Sequence, residues 1–164
     1  MARLTPENYQ VIEAHEPESS DAITDTSDAI KLSNANGCMI IMHEDYAVDN
    51  NEITWVINEG ATAAEAAAGT HVLAATFPIW VNLTCQTADT LVRQPDAANY
   101  TVPAGAVAGD NIMIIFYIDA AILSAGREWI HIEASVGDVG NYASVLYILD
   151  GMRYKQETPL TAIV

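Results

Sequence analysis

Short apolar runs alternate along this chain with clusters of turn-forming residues. Cys38-Met39-Ile40-Ile41-Met42-His43 is apolar on both faces of an extended chain, the pattern of a strand buried on both sides. Asn34, Asn36 and Gly37 punctuate its start and Glu44-Asp45 its end. Ile53-Thr54-Trp55-Val56-Ile57 is β-branched and aromatic, and follows a turn-like Asp49-Asn50-Asn51. Thr76 to Leu83 reads as a strand in which Pro78 predicts an edge position or a bulge. Thr90-Leu91-Val92 and Tyr100-Thr101-Val102 read as short pieces around a loop at Gln94-Pro95-Asp96. Ile112 to Ile118 is the strongest buried-strand signal. Trp129 to Glu133 alternates, with Ile130 and Ile132 on one face, and Tyr142 to Leu149 is a long final strand.

Two stretches break this rhythm. Thr62-Ala63-Ala64-Glu65 has capping-box spacing, Ala66-Ala67-Ala68 follows, and Gly69 can end the turn in a left-handed conformation. Asp119 is placed to cap a short turn through Ile122-Leu123, stopped by Gly126. Neither is long enough for a βαβ crossover. About eight short strands with one or two single-turn helices predict an all-β fold, an antiparallel β-sandwich of jelly-roll type. Residues 29–155 hold this domain. Residues 1–28 carry Pro6, Pro17 and seven acids against one base, and read as an extended acidic arm in which Val11 and Ile12 form a short edge strand. Residues 156–164 read as a C-terminal tail with an apolar end, Leu160 to Val164.

Composition changes the picture in one respect. Half of the 164 residues are hydrophobic (51%), yet 22 Asp and Glu face only 6 Lys and Arg, a formal net charge of −16. Such a chain repels phosphate backbones and anionic lipid, so neither nucleic acid nor membrane is an expected partner. Met1 to Pro6 has no apolar run, which predicts no secretion signal and cytoplasmic synthesis. Cys38 and Cys85 then read as reduced, buried thiols.

Candidate chemistry is sparse. No G-x-S-x-G, P-loop, G-x-G-x-x-G, H-E-x-x-H or C-x-x-C is present. His15, His43, His71 and His131 lack metal-ligand spacing, although His43 and His131 lie on strands that a sheet could bring together. The acidic stretch from His43 to Glu52 fails the EF-hand pattern and reads as a solvated hairpin tip. Trp55, Trp80 and Trp129 would make a sugar-stacking platform if they shared a face, but each lies in an apolar strand, where core packing is the plainer role. No catalytic residue, cofactor or metal site is expected.

The order of several motifs resembles small structural proteins of tailed bacteriophages encoded near the major capsid protein. A polar lead is followed by Ala29-Ile30-Lys31-Leu32-Ser33-Asn34 and the strand Cys38 to His43. Ile118-Asp119-Ala120-Ala121-Ile122-Leu123 comes later, then Gly126 and the aromatic strand Trp129 to Ile132, and finally Ile148-Leu149-Asp150-Gly151-Met152-Arg153-Tyr154. The resemblance implies a non-enzymatic capsid decoration (cement) protein at the virion surface, made in the host cytoplasm. It implies the major capsid protein as partner and a homo-oligomer, with a trimer favoured. A tail, baseplate or fibre component is the alternative, and a carbohydrate-binding module a further one. The terminal segments are the expected bridges to that partner, through Arg3, Leu4, Tyr9, Val11, Ile12, Arg153, Tyr154 and Leu160.

Overall fold

A computed structural model describes residues 9–19, 27–46, 52–103, 110–135 and 140–151. Five of the expected contact residues, Arg3, Leu4, Arg153, Tyr154 and Leu160, lie outside them, as does the tip of the acidic hairpin at residues 47–51.

Ten strands are present: β1 (Tyr9–Ser19), β2 (Ile30–Lys31), β3 (Gly37–Tyr46), β4 (Ile53–Gly60), β5 (Phe77–Asn82), β6 (Val92–Ala97), β7 (Asn99–Val102), β8 (Asp110–Asp119), β9 (Trp129–Ala134) and β10 (Tyr142–Asp150). They form a six-stranded sheet, ordered β1-β10-β3-β8-β5-β6, and a four-stranded sheet, ordered β2-β9-β4-β7. Every pairing is antiparallel. The connectivity is simple: β1 pairs with β10, β2 with β9, β3 with β8 and β4 with β7. That is one long hairpin folded over on itself so that alternate pairs fall in opposite sheets, a jelly roll. The hairpin β5–β6 is its tip and extends the larger sheet beyond β8. The fold is therefore the antiparallel β-sandwich that the strand pattern predicts.

The two additional strands lie near the N-terminus. β2 has only two residues, too few to leave a period in the sequence. β1 occupies residues 9–19 of the stretch read as an arm, extending well past Val11 and Ile12 and forming the edge of the larger sheet. Its alternation is real but is masked by acids. Ile12 and Ala14 are buried while Glu13 and Glu16 face solvent. Register shifts around His15 and Pro17 blunt that edge.

Other local expectations resolve individually. Pro78 sits at a register shift between β5 and β6, so the bulge reading holds, and β5 is an internal strand. Gln94-Pro95-Asp96 is a correction: these residues lie within β6, not in a loop. β6 is the far edge of its sheet, where a proline costs no ladder hydrogen bond. The Thr62 hydroxyl accepts from the Glu65 amide and caps α1 (Ala63–Ala67), and the Glu65 carboxylate accepts from Ala61 N–H, one residue before the cap. Gly69 follows at φ 64°. A Cβ on Gly60 would stand 2.4 Å from Ala66 N, so glycine there lets α1 pack on β4. Asp119 caps a 3-10 turn over Ala120–Ile122, which ends before Gly126 is reached.

The inner faces of the two sheets meet in one core. Trp55, Tyr147, Phe77 and Phe116 are its largest fully buried side chains, and the Phe77 and Phe116 rings pack at 5.0 Å.

Candidate interaction surface

Strand periodicity divides β3 into two sets. Cys38, Ile40 and Met42 point into the core and are buried, whereas Met39, Ile41 and His43 point out of the sandwich. β8 and β10 divide in the same way, and their outward sets are also largely apolar. Cross-strand register aligns them. One row runs Val11, Ile148, Met39, Tyr117, and the next runs Leu146, Ile41, Ile115, Trp80. Met113 extends the patch beside His43. Val11 is 62% exposed, Leu146 39% and Met39 37%, and the others are half-buried only by one another and their neighbours. An antiparallel sheet with one solvated face ordinarily alternates apolar and polar residues. Here β3 and β8 are apolar on both faces, as their sequence predicts, yet the described residues cover only one.

Charge is confined to the margins of this face. Glu13 stands outside the second row at the β1 side. Arg93 stands outside it at the β6 side, its guanidinium 4.9 Å from the centroid of the Trp80 ring and paired with Asp96. Asp45 lies at one end of the strands and Asp119 and Asp150 at the other. Tyr117 donates to Asp150 at 3.3 Å, and burial, aided by that carboxylate, raises the phenol above its usual range. An apolar centre with a polar rim is the anatomy of a protein interface.

The most catalysis-like pair elsewhere is structural. Ser27 Oγ lies 2.6 Å from His131 Nε2, both buried. The serine's one proton, however, goes to the Ile132 carbonyl at 2.5 Å, so Nε2 must itself be the donor to Oγ. An imidazole in that tautomer takes no proton from the serine. The pair exists because β2 is too short to reach Ile132. Its carbonyl is met by Ser27, and its N–H by the Tyr147 hydroxyl from the opposite sheet at 3.0 Å. Burial raises the Tyr147 phenol well above its ordinary value.

A second polar cluster ties the end of β4 to the turn that follows the 3-10 turn. The buried Glu59 carboxylate accepts from the Ser124 hydroxyl (2.5 Å) and amide (2.9 Å), and Arg127 lies at 3.4 Å. Each base among the described residues is paired with a carboxylate: Lys31 with Glu128 at 2.6 Å, Arg93 with Asp96, Arg127 with Glu59. At the β1 edge, His15 is buried 3.4 Å from Glu18, and burial lowers its pKa against the opposing pull of Glu18 and Glu16.

The structure separates other residues that the sequence left together. Trp55 is in the core, Trp80 on the outside of the larger sheet and Trp129 on the smaller sheet beside Lys31, so they form no common platform. His43 and His131 lie on different sheets. Cys38 is fully buried and Cys85 half-buried, both as free thiols, and burial raises the Cys38 thiol far above the range in which it ionises. Of the expected contact residues that are described, Tyr9, Val11 and Ile12 all lie in β1. Ile12 points into the core and is 5% exposed, which corrects its assignment as a contact, whereas Val11 belongs to the apolar face. The central residues of that face, Leu146, Ile41, Ile115 and Met39, are not among the contact residues expected from the sequence. Their signal was the apolar run on both faces of a strand.

No protein-family model and no curated protein matches this chain. Among solved structures, one titled "Structure of Eiger TNF from S. frugiperda" is similar at a TM-score of 0.32 and 8% identity, over 96% of this chain and 94% of that one.

Proposed function

We propose that this protein is a non-enzymatic structural component of a virion, a capsid decoration protein that binds the major capsid protein and stabilises the assembled shell. The observation that carries the reading is the apolar outer face of the six-stranded sheet, an assembly surface on a domain whose polar clusters serve the fold. The resemblance of the motif order to phage structural proteins supports the virion context, and the acidic coat suits a particle surface that must not bind nucleic acid. Many copies on one shell let each contact be weak and still hold by avidity. The separation of the three tryptophans leaves nothing to favour a glycan platform.

The test is co-sedimentation of the purified protein with expanded empty shells that lack it, together with the melting temperature of those shells. Binding and a raised melting temperature support the reading. Shells that take up none and gain nothing sink it. Labelling of whole virions separates a head-wide location from a tail or fibre location at one end.

A further inference from the structure

We propose that Asn36 is a site of spontaneous deamidation, gated by fraying of the strand end at which β3, β8 and β10 meet. The site needs no partner molecule and stands apart from the decoration role.

The chemistry is intramolecular. Asn36 precedes Gly37 in the one Asn-Gly pair of the chain, and it is exposed. The Gly37 amide nitrogen, losing its proton to water, attacks Cγ of the Asn36 carboxamide. The Cγ–Nδ2 bond breaks, and ammonia leaves with a proton taken from water as a five-membered succinimide closes. Water then opens the ring at either carbonyl and leaves aspartate or isoaspartate. The rate of such a closure depends on how freely the two atoms can meet. Glycine hinders it least, since no Cβ restricts the turn of its backbone.

The fold opposes that attack. Asn36 N–H donates to the Asp150 carbonyl at 2.8 Å, and the Asn36 carbonyl accepts from Ala120 N–H at 2.8 Å. Gly37 lies in the ladder between Asp119 and Asp150. The Asn36 carbonyl and the Gly37 nitrogen share one rigid peptide plane. While that plane is pinned, the nitrogen cannot turn towards Cγ. The pin sits at the last rungs of two ladders, where local opening costs least. Closing again is harder for the product. The Asn36 carboxamide packs over Gly151, at φ 61°, where it fills the space a Cβ would take. An aspartate there adds a carboxylate to the strand end that already carries Asp119 and Asp150. An isoaspartate routes the main chain through Cβ and Cγ, one atom longer, and moves Gly37 out of register. The reaction thus turns a transient opening of this end into a lasting one.

The experiment ages the full chain at mildly alkaline pH and follows Asn36 by peptide mass spectrometry, reading the mass gain of amide-to-acid exchange. The folded protein is expected to convert at Asn36, and the same chain unfolded in urea at least about 10-fold faster. Ala120→Pro removes the N–H that pins the Asn36 carbonyl. Asp119 is extended at φ −75° and ψ 131°, and Ala120 opens the 3-10 turn, so proline suits the position. Losing that hydrogen bond should speed conversion of the folded chain about 2- to 10-fold, with circular dichroism checking the fold. Asn36→Gln, whose longer side chain must close a six-membered ring, should end it. In aged wild type, hydrogen exchange at the Ala120 amide should quicken, and in aged Asn36→Gln it should not. Equal conversion in folded and unfolded wild type overturns the gate, as does a folded Ala120→Pro that converts no faster than wild type. An Asn36 that stays intact in the folded wild type while the unfolded chain converts fully overturns the site. Unchanged exchange in the converted protein overturns the lasting opening.

Discussion

Tyr9 and Asp150 are register partners, so the first residue of β1 and the last of β10 stand side by side at one end of the sandwich. The chain therefore enters and leaves the domain at adjacent points.

Deleting residues 1–8 together with 152–164 should leave the sandwich folded, because both ends of the β1–β10 ladder are retained. Its melting temperature should change little. Binding to shells, followed by co-sedimentation, should be lost. A truncated protein that binds as tightly as the full chain would show that the terminal segments are not the bridge.

Ile132 provides a stability test inside the core. Its carbonyl and N–H, both turned away from β4, depend on Ser27 and Tyr147 in place of a neighbouring strand. Ser27→Ala strips the carbonyl and His131 of their shared partner, and Tyr147→Phe strips the N–H. Each should cost about 1–3 kcal/mol in urea unfolding, the scale of a buried group left unsatisfied. Ser27→Ala should also leave any reaction with serine-directed phosphonates unchanged at background, since the hydroxyl proton is already committed to the carbonyl. Labelling of Ser27 by such a reagent would refute that assignment.

These residues also mark where the sequence is readable. The cap at Thr62 and Glu65 is legible because both partners lie within one turn of chain. The strands β3 and β8 are legible because apolar runs of that length fit little else. What period-two patterning does not encode is the identity of the cover. Ile40 and Ile41 look alike in sequence, yet the first is buried by its own chain and the second faces outward. Register with Leu146 and Ile115 is needed to see that the second belongs to a continuous patch. Pro95 misleads for a related reason, because an edge strand tolerates what an internal strand does not. Ser27 gives no local sign at all, as its role depends on where β2 stops.

His15 gives the β1 edge a pH dependence. Burial holds its pKa below the usual 6.5, and the nearby Glu18 and Glu16 only partly offset this. The folded state thus binds the proton less readily than the unfolded chain does. The stability it contributes is fully present above pH 6.5 and is lost as pH falls through and below that value. His15→Gln should flatten this part of the profile. Melting temperatures of the two proteins should therefore differ most near pH 7.5 and converge toward pH 5. Parallel curves over that range would show that His15 does not titrate against folding.

Glu59 is the buried carboxylate whose partners can be removed one at a time. It receives two hydrogen bonds from Ser124, and Arg127 supplies the neutralising charge. A buried charge stripped of its partner typically costs 3–5 kcal/mol, but Glu59 keeps both Ser124 bonds when Arg127 is truncated, so Arg127→Ala should cost about 2 kcal/mol. Ser124→Ala removes the hydroxyl and keeps the amide, at about 1.5–3 kcal/mol for a bond to a charged group. Because both changes act on the same carboxylate, the double variant should be worse than the sum. Glu59→Gln removes the charge that Arg127 serves, so in that background Arg127→Ala should cost much less. Equal costs of Arg127→Ala with Glu59 and with Gln at that position would show that the arginine does not act through the Glu59 charge, and would assign its contribution to packing or to Glu65, which lies 4.0 Å from the guanidinium in both backgrounds.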